Sequence, residues 1–265
     1  MHNTTYHKAS SAADAATKLS GADDGMLLAG GQTLIPTMKQ RLAAPSDLVD
    51  ISGVADMRGI TVSGSMVTIG AMTTHAEVAS SAELRGVCPS LADLAAHIGD
   101  PAVRHKGTLG GSVANNDPAA DYPAAMLALG ATIKTDKREI AADDFFEGMF
   151  TTALDEGEII VSVSFEAPSK GAYAKFPNPA SRYAMCGVYV AQGAGGVRVA
   201  VTGAGEDGVF RASDMEAALS DDFSAEALEG VSVSADGMLS DIHGDAAYRA
   251  NLVMVMAKRA TAAAG

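Results

Sequence analysis

The sequence predicts an α+β protein divided near residue 170: residues 1–169 form one unit, and residues 170–265 form a smaller one of antiparallel strands and helices. Three observations carry this reading. Through the first part, short apolar runs of strand length alternate with Ala-rich helical segments. Two segments with paired glycines interrupt them, AGGQT at 29–33 and RHKGTLGGSVANNDPAADYP at 104–123. The final third holds two apolar runs joined by a glycine turn, and then the clearest helix of the chain, DAAYRANLVMVMAKRATAAA.

Taken in order, residues 10–20 read as an Ala-rich helix closed by Gly21 and Gly25, and MLLAG (26–30) as a buried strand running into the first glycine turn. TLIPTMKQRL reads as a helical turn interrupted by Pro36, and DLVDIS (47–52) as a second strand, giving βαβ character. Two short strands surround Gly64. Thr74 and Glu77 have the spacing of a capping box, so a helix starts there. SLADLAAHIG (90–99) carries apolar residues at helical spacing. After the glycine-rich stretch, read as a loop, Asp121 and Pro123 suit a helix start and Gly130 its end. ATIKTD and EIIVSVSFEAP read as strands, and 170–184 as a loop with two prolines. AMCGVYVA and VRVAVTGAG pair as a hairpin across 193–196, and Ser213 and Glu216 have the spacing that caps a short helix. Lys258 and Arg259 fall in the later turns of the last helix, where the dipole favours them.

Composition narrows the function. Apolar residues make up 48% of the chain, enough for a sizeable core, while aromatics are 5% and Trp is absent, so the core is aliphatic. A formal charge of −13 argues against nucleic-acid or anionic-membrane partners and requires any anionic ligand to be held locally. The sequence has neither a membrane-length apolar run nor a secretory h-region, so a cytoplasmic placement is expected. Cys88 and Cys186 are too few for an iron–sulfur cluster, and no His/Cys grouping has zinc spacing. Any redox cofactor is therefore organic.

The glycine loops are the candidate site. AGGQT lacks the lysine of a P-loop and the three-glycine spacing of a dinucleotide turn, so alone it signals only a tight turn. TLGGSVANNDPAADYP gathers Thr and Ser hydroxyls, two glycines and two asparagines, followed by the Asp121 carboxylate. Such a loop can cradle a diphosphate through N–H donors and seat a sugar hydroxyl on Asp121. Asp121 can also serve as a plain helix cap, and Asn115–Asn116 as a left-handed turn.

These two loops, together with IGAMTTHAEV, EIIVSVSFEAP, AYAKFPNPASRYAMCGVYVA and AYRANLVMVMAKRA, resemble the FAD-binding medium subunit of molybdenum hydroxylases, the xanthine dehydrogenase and aerobic carbon monoxide dehydrogenase type. The resemblance covers nearly the whole chain. It implies a FAD-binding fold of the vanillyl-alcohol-oxidase/PCMH type, with subdomains of about 1–55 and 56–169 clamping FAD, and a 170–265 C-terminal flavoprotein domain. It implies that Ala29, Gly30, Gly31, Gln32, Thr33 and Leu34 lie along the diphosphate, and that Thr108, Gly111, Ser112, Ala114 and Asn115 form the opposite wall. Asp121 would accept from a cofactor hydroxyl, Ile160 and Lys175 would reach the flavin region, and His75 would approach the flavin or its phosphates. FAD would be non-covalent. Tyr6 stands where the family has an aromatic in its opening, but the proline-rich lead-in is missing. No cysteine-bearing insertion is present, which argues against the subtype with a cluster in this subunit.

The implied function is an electron-transfer subunit of an oxidoreductase. It would take electrons from [2Fe–2S] clusters of a small partner subunit and deliver them to an external acceptor, while a large partner subunit holds the molybdenum cofactor. The implied assembly is a heterohexamer of paired trimers, closest to the carbon monoxide dehydrogenase branch. Two rivals use the same loops: a stand-alone NAD(P)H-dependent FAD oxidoreductase, and a non-catalytic nucleotide-binding module.

Overall fold

The computed structural model describes residues 1–264. The chain begins with β1 (Thr5–Lys8), α1 (Ala12–Ser20), β2 (Gly25–Leu28), α2 (Leu34–Lys39) and β3 (Asp47–Asp50), and its strands form a parallel sheet in the order β1-β3-β2. The βαβ expectation is met by β2, α2 and β3. Strand β1 was not foreseen: its side chains are mostly exposed, so TYHK carries no apolar pattern and is held by backbone pairing to β3. Pro36 does not interrupt α2. It occupies the third helical position, where an N–H would have no acceptor within the helix.

The middle of the chain supplies β4 (Ile60–Ser63), β5 (Met66–Gly70), α3 (His75–Ser80), α4 (Ala82–Val87), α5 (Pro89–Ala96), α6 (Pro101–Arg104), α7 (Leu109–Asn115) and α8 (Tyr122–Ala128). These are followed by β6 (Thr132–Thr135), β7 (Glu139–Ala141), β8 (Phe146–Gly148), β9 (Thr151–Thr152) and β10 (Ile160–Glu166). A five-stranded antiparallel sheet forms in the order β4-β5-β10-β6-β7, and β8 pairs with β9 in a small hairpin. The Thr74–Glu77 capping box is formed at the start of α3.

The stretch read as one long loop contains the seven residues of α7. Thr108 caps it by accepting from Gly111 N–H at 3.2 Å. Glycine is required at 110 because a Cβ there would stand 2.5 Å from Ala71 Cβ. Close packing against the end of β5 thus offsets the poor helix propensity of the glycine pair.

The last part forms β11 (Lys170–Pro177), β12 (Ala184–Gly193), β13 (Gly196–Gly205), β14 (Gly208–Arg211), α9 (Ser213–Asp221) and α10 (Ala246–Ala264). The strands make an antiparallel sheet in chain order. Residues 170–184, expected as loop, are mostly the edge strand β11. Pro177 ends it, where a missing N–H costs no ladder bond. Ser213 does not cap α9; Glu216 turns instead to Val199 N–H (3.0 Å) and Arg211. One apolar core runs from Ala9 to Phe165 and includes Tyr189, Ala191 and Ala200. A second lies between this sheet and α9 and α10, and includes Val188 and Val190. The pleat of β12 therefore feeds alternate side chains to two cores.

Candidate functional site

A cleft of about 650 Å³ opens between the end of β2, the start of α7 and the loop after β11. It falls within the roughly 300–1,000 Å³ typical of cofactor sites.

The first wall is Ala29–Leu34. Gly31 has φ +70°, which turns the chain out of β2. Ile35 N–H reaches Gly31 O and Thr37 N–H reaches Thr33 O, but the N–H groups of Gly31, Gln32, Thr33 and Leu34 meet no acceptor among the described residues. This wall therefore offers a row of uncommitted donors to an anion. Gly30 serves a different purpose. A Cβ on it would lie 2.1 Å from Lys106 O and 2.7 Å from Gly107 Cα, so the two loops touch backbone to backbone.

The second wall is Gly107–Asn115. Its first amides are already used, since Leu109 N–H donates to Thr73 O (3.0 Å), Gly110 N–H to Ala71 O (2.8 Å) and Gly111 N–H to Thr108. The donor role read for these glycines thus passes to the first wall. The second wall presents shape and side chains: Thr108, Gly111, Ser112, Ala114 and Asn115 all line the cleft. A Cβ on Gly111 would stand 2.9 Å from the capping Thr108 Oγ1 and 3.6 Å from Ala29 Cβ, across the narrow gap.

His75, the first residue of α3, is 5% exposed and lines the cleft. Its N–H donates to Gly107 O (3.0 Å), its ring lies 5.3 Å from that of Tyr122, and its Nδ1 is buried without a partner. Burial, with Arg104 nearby, holds its pKa down at about 4, so the imidazole is neutral.

Asp121 and Ile160 line the cleft as well. Asp121 does not cap α8. Its Oδ1 accepts from Tyr173 Oη at 2.5 Å and its Oδ2 from Lys175 Nζ at 2.9 Å. Burial pushes its pKa up, against the opposing effects of Lys175 and Tyr173. Lys175 is not on the wall. Its side chain is 6% exposed, and it reaches the cleft only through Asp121, with a second bond to His97 O (3.3 Å). Arg104 turns to the carbonyls of Ile98 and Gly99.

Several wall residues carry no signal in the sequence. Ala71, Met72 and Ile98 are ordinary apolar residues brought in by the folding of β5 and α5. Ser181, Arg182 and Tyr183 line the mouth from the loop after β11, and Tyr183 is 47% exposed. The available hint was that these three fall within AYAKFPNPASRYAMCGVYVA, one of the segments that carry the resemblance. Together these groups make a long cleft with a donor row at one end, apolar walls and a buried carboxylate. It suits an extended ligand with an anionic centre and hydroxyl groups.

Residues 2–168 match the family model described as the FAD binding domain in molybdopterin dehydrogenase. The chain is 34% identical to the carbon monoxide dehydrogenase medium chain of Hydrogenophaga pseudoflava, over 98% of this chain and 96% of that one. It is 35% identical, over the same shares, to the nicotine 6-hydroxylase medium subunit of Paenarthrobacter nicotinovorans. Among solved structures, carbon monoxide dehydrogenase from Hydrogenophaga pseudoflava lacking the Mo-pyranopterin moiety matches with a TM-score of 0.90 and 35% identity, over 99% of this chain and 97% of that one. Quinoline 2-oxidoreductase from Pseudomonas putida 86 matches with a TM-score of 0.88 and 29% identity, over 99% and 96%.

Proposed function

Because the chain belongs to the family of FAD-binding domains of molybdopterin dehydrogenases, we propose that it carries electrons between [2Fe–2S] clusters of a small partner subunit and an external acceptor. In this reading a large partner subunit holds the molybdenum cofactor and oxidises the substrate, and the assembly is a heterohexamer of paired trimers. The observation that carries it is the cleft itself: every residue assigned to the cofactor except Lys175 lines one continuous wall.

The residues present fit FAD. The free amides of Gly31–Leu34 suit a diphosphate, and they hold negative charge without a lysine in a chain of net charge −13. Gly30 lets the two loops meet backbone to backbone, and Gly111 leaves the gap toward Ala29 open. Thr33, Thr108, Ser112 and Asn115 offer polar side chains to the sugars, Asp121 accepts from a hydroxyl, and Ile160 gives an apolar surface to the ring system. His75, being neutral, can donate or accept there without adding charge. Lys175 stands behind Asp121, its Nζ bonded to Oδ2 at 2.9 Å. Bound FAD supplies the chemistry that couples one-electron donors to a two-electron acceptor, while the protein supplies position and electrostatics.

The carbon monoxide dehydrogenase branch is supported by the match over nearly the full length of both chains. A nitrogen heterocycle as the complex's substrate is the second reading, favoured by the 35% identity to the nicotine 6-hydroxylase subunit.

Purified alone, the chain is expected to retain FAD and show flavin absorption. Gly111→Val is expected to abolish retention while the far-UV dichroism stays native, because its side chain fills the gap toward Ala29. Unchanged FAD affinity in Gly111→Val would contradict the assigned cleft. Reduction of a substrate by NAD(P)H with this chain alone would favour a stand-alone oxidoreductase instead.

A further inference from the structure

Asp121 is held from outside the two glycine loops. The segment that carries it is bonded to the C-terminal sheet at several points. The Thr202 hydroxyl shares its proton between Ala120 O (2.6 Å) and Pro118 O (3.0 Å). Gly203 N–H donates to Pro118 O (2.8 Å), and Ala184 N–H to Ala119 O (3.3 Å). On the neighbouring strand, Tyr173 Oη meets Asp121 Oδ1 at 2.5 Å, and Lys175 Nζ meets Oδ2 at 2.9 Å. Space for Tyr173 is made by Gly187, where a Cβ would lie 2.1 Å from the Tyr173 hydroxyl oxygen. The sheet is thus shaped to deliver one hydroxyl to one carboxylate oxygen.

We propose that Tyr173 and Thr202 are positioning residues of the cofactor cleft: Tyr173 aims the Asp121 carboxylate and favours its ionised form, and Thr202 fixes the backbone that bears it. This rests on the reading that Asp121 accepts a hydrogen bond from a hydroxyl of FAD. A carboxylate buried as Asp121 is takes up a proton unless charges and donors oppose it. The groups facing it are Tyr173 and Lys175 from β11, His97 beyond α5, Tyr122 beside it, and Tyr183 and Asp117 near the cleft mouth. Among the described residues, only Tyr173 and Lys175 bond to the carboxylate. Once protonated, Asp121 has one acceptor oxygen fewer and no charge, and a cofactor hydroxyl is held less well. Removing the tyrosine hydroxyl therefore weakens FAD binding, and more so as pH falls.

The test is FAD rebinding to the apoprotein, followed by quenching of free-flavin fluorescence between about pH 6 and pH 9, for the wild type, Tyr173→Phe and Thr202→Val. The wild type sets the reference profile. Tyr173→Phe is expected to bind about tenfold more weakly near neutral pH, the loss of one hydrogen bond to a charged group, and to recover as pH rises. Thr202→Val is expected to bind several-fold more weakly at every pH, with the wild-type slope, because it shifts the backbone without touching the carboxylate. Wild-type affinity and the wild-type pH profile in both variants would overturn the proposal. If Tyr173→Phe fails to fold, wild-type affinity in Thr202→Val overturns it alone. A wild-type apoprotein that takes up no FAD would sink the functional reading and this inference with it, an outcome separable from normal binding in the variants.

Discussion

His75 is the residue whose setting departs furthest from what its position alone suggests. As a neighbour of the Thr74 cap it could have faced solvent, yet it is packed between Gly107 and Tyr122 with one ring nitrogen unpartnered. Its pKa of about 4 has a thermodynamic consequence. An unfolded histidine takes a proton near pH 6.5, so below that the unfolded chain binds more protons than the folded one, and stability falls as pH falls. Glu158, held at about 2 by Arg138, and Asp14, held at about 2 by Lys18, lose their contributions only once pH drops through the ordinary carboxylate range. Asp117 and Asp121, raised by burial, act in the opposite sense but are common to any His75 variant. Urea unfolding of the apoprotein at pH 7 and pH 5 is therefore expected to show a loss about 2 kcal/mol greater in the wild type than in His75→Gln. Equal losses would mean that the imidazole is hydrated.

Among the elements, α7 and the hairpin of β8 and β9 are joined by one side chain. Asn116 ends α7 in a left-handed conformation with φ 42°, and its amide donates to Gly148 O and Thr151 O, both at 2.8 Å. Its carbonyl accepts from Phe150 N–H at 3.0 Å, holding that exposed residue at φ 56°. Asn116→Ala is expected to cost about 2–4 kcal/mol, from two orphaned carbonyls and a left-handed residue without its side-chain support. Hydrogen exchange should quicken across 146–152, and unchanged protection there would show that the hairpin stands by itself. The sequence does name Asn115–Asn116 as a left-handed turn, but not what the turn holds. Elements with an apolar rhythm, such as β10, β12, β13 and α10, were legible for that reason. β1 was not, since TYHK has no apolar rhythm and meets β3 through backbone bonds and the polar pairs Tyr6–Asp50 and His7–Asp47, and α7 was hidden by glycines that the contact with Ala71 explains. In the cleft, the glycine walls were readable because backbone approach leaves a mark in residue type. Tyr173 and Thr202 were not, because nothing local to them signals a carboxylate more than fifty residues away.

In the whole molecule, the region matching the FAD-binding family model ends at residue 168, yet the structure continues the cleft beyond it. Tyr173, Lys175 and Thr202 fasten Asp121 and its segment, and Tyr189, Ala191 and Ala200 complete the first core. A fragment of residues 1–168 is therefore expected to retain no FAD under conditions where the full chain does, and to unfold over a broader urea range. Full-strength binding by the fragment would show that the C-terminal sheet is dispensable to the cleft. The bond from Thr202 to Ala120 also bears on the order of synthesis. The donor row at Gly31–Leu34 leaves the ribosome early, whereas the strand that secures the opposite carboxylate emerges only when β13 does. A nascent chain shorter than β13 can display the first wall but does not contain the complete cleft, so cofactor loading falls late in translation or after it.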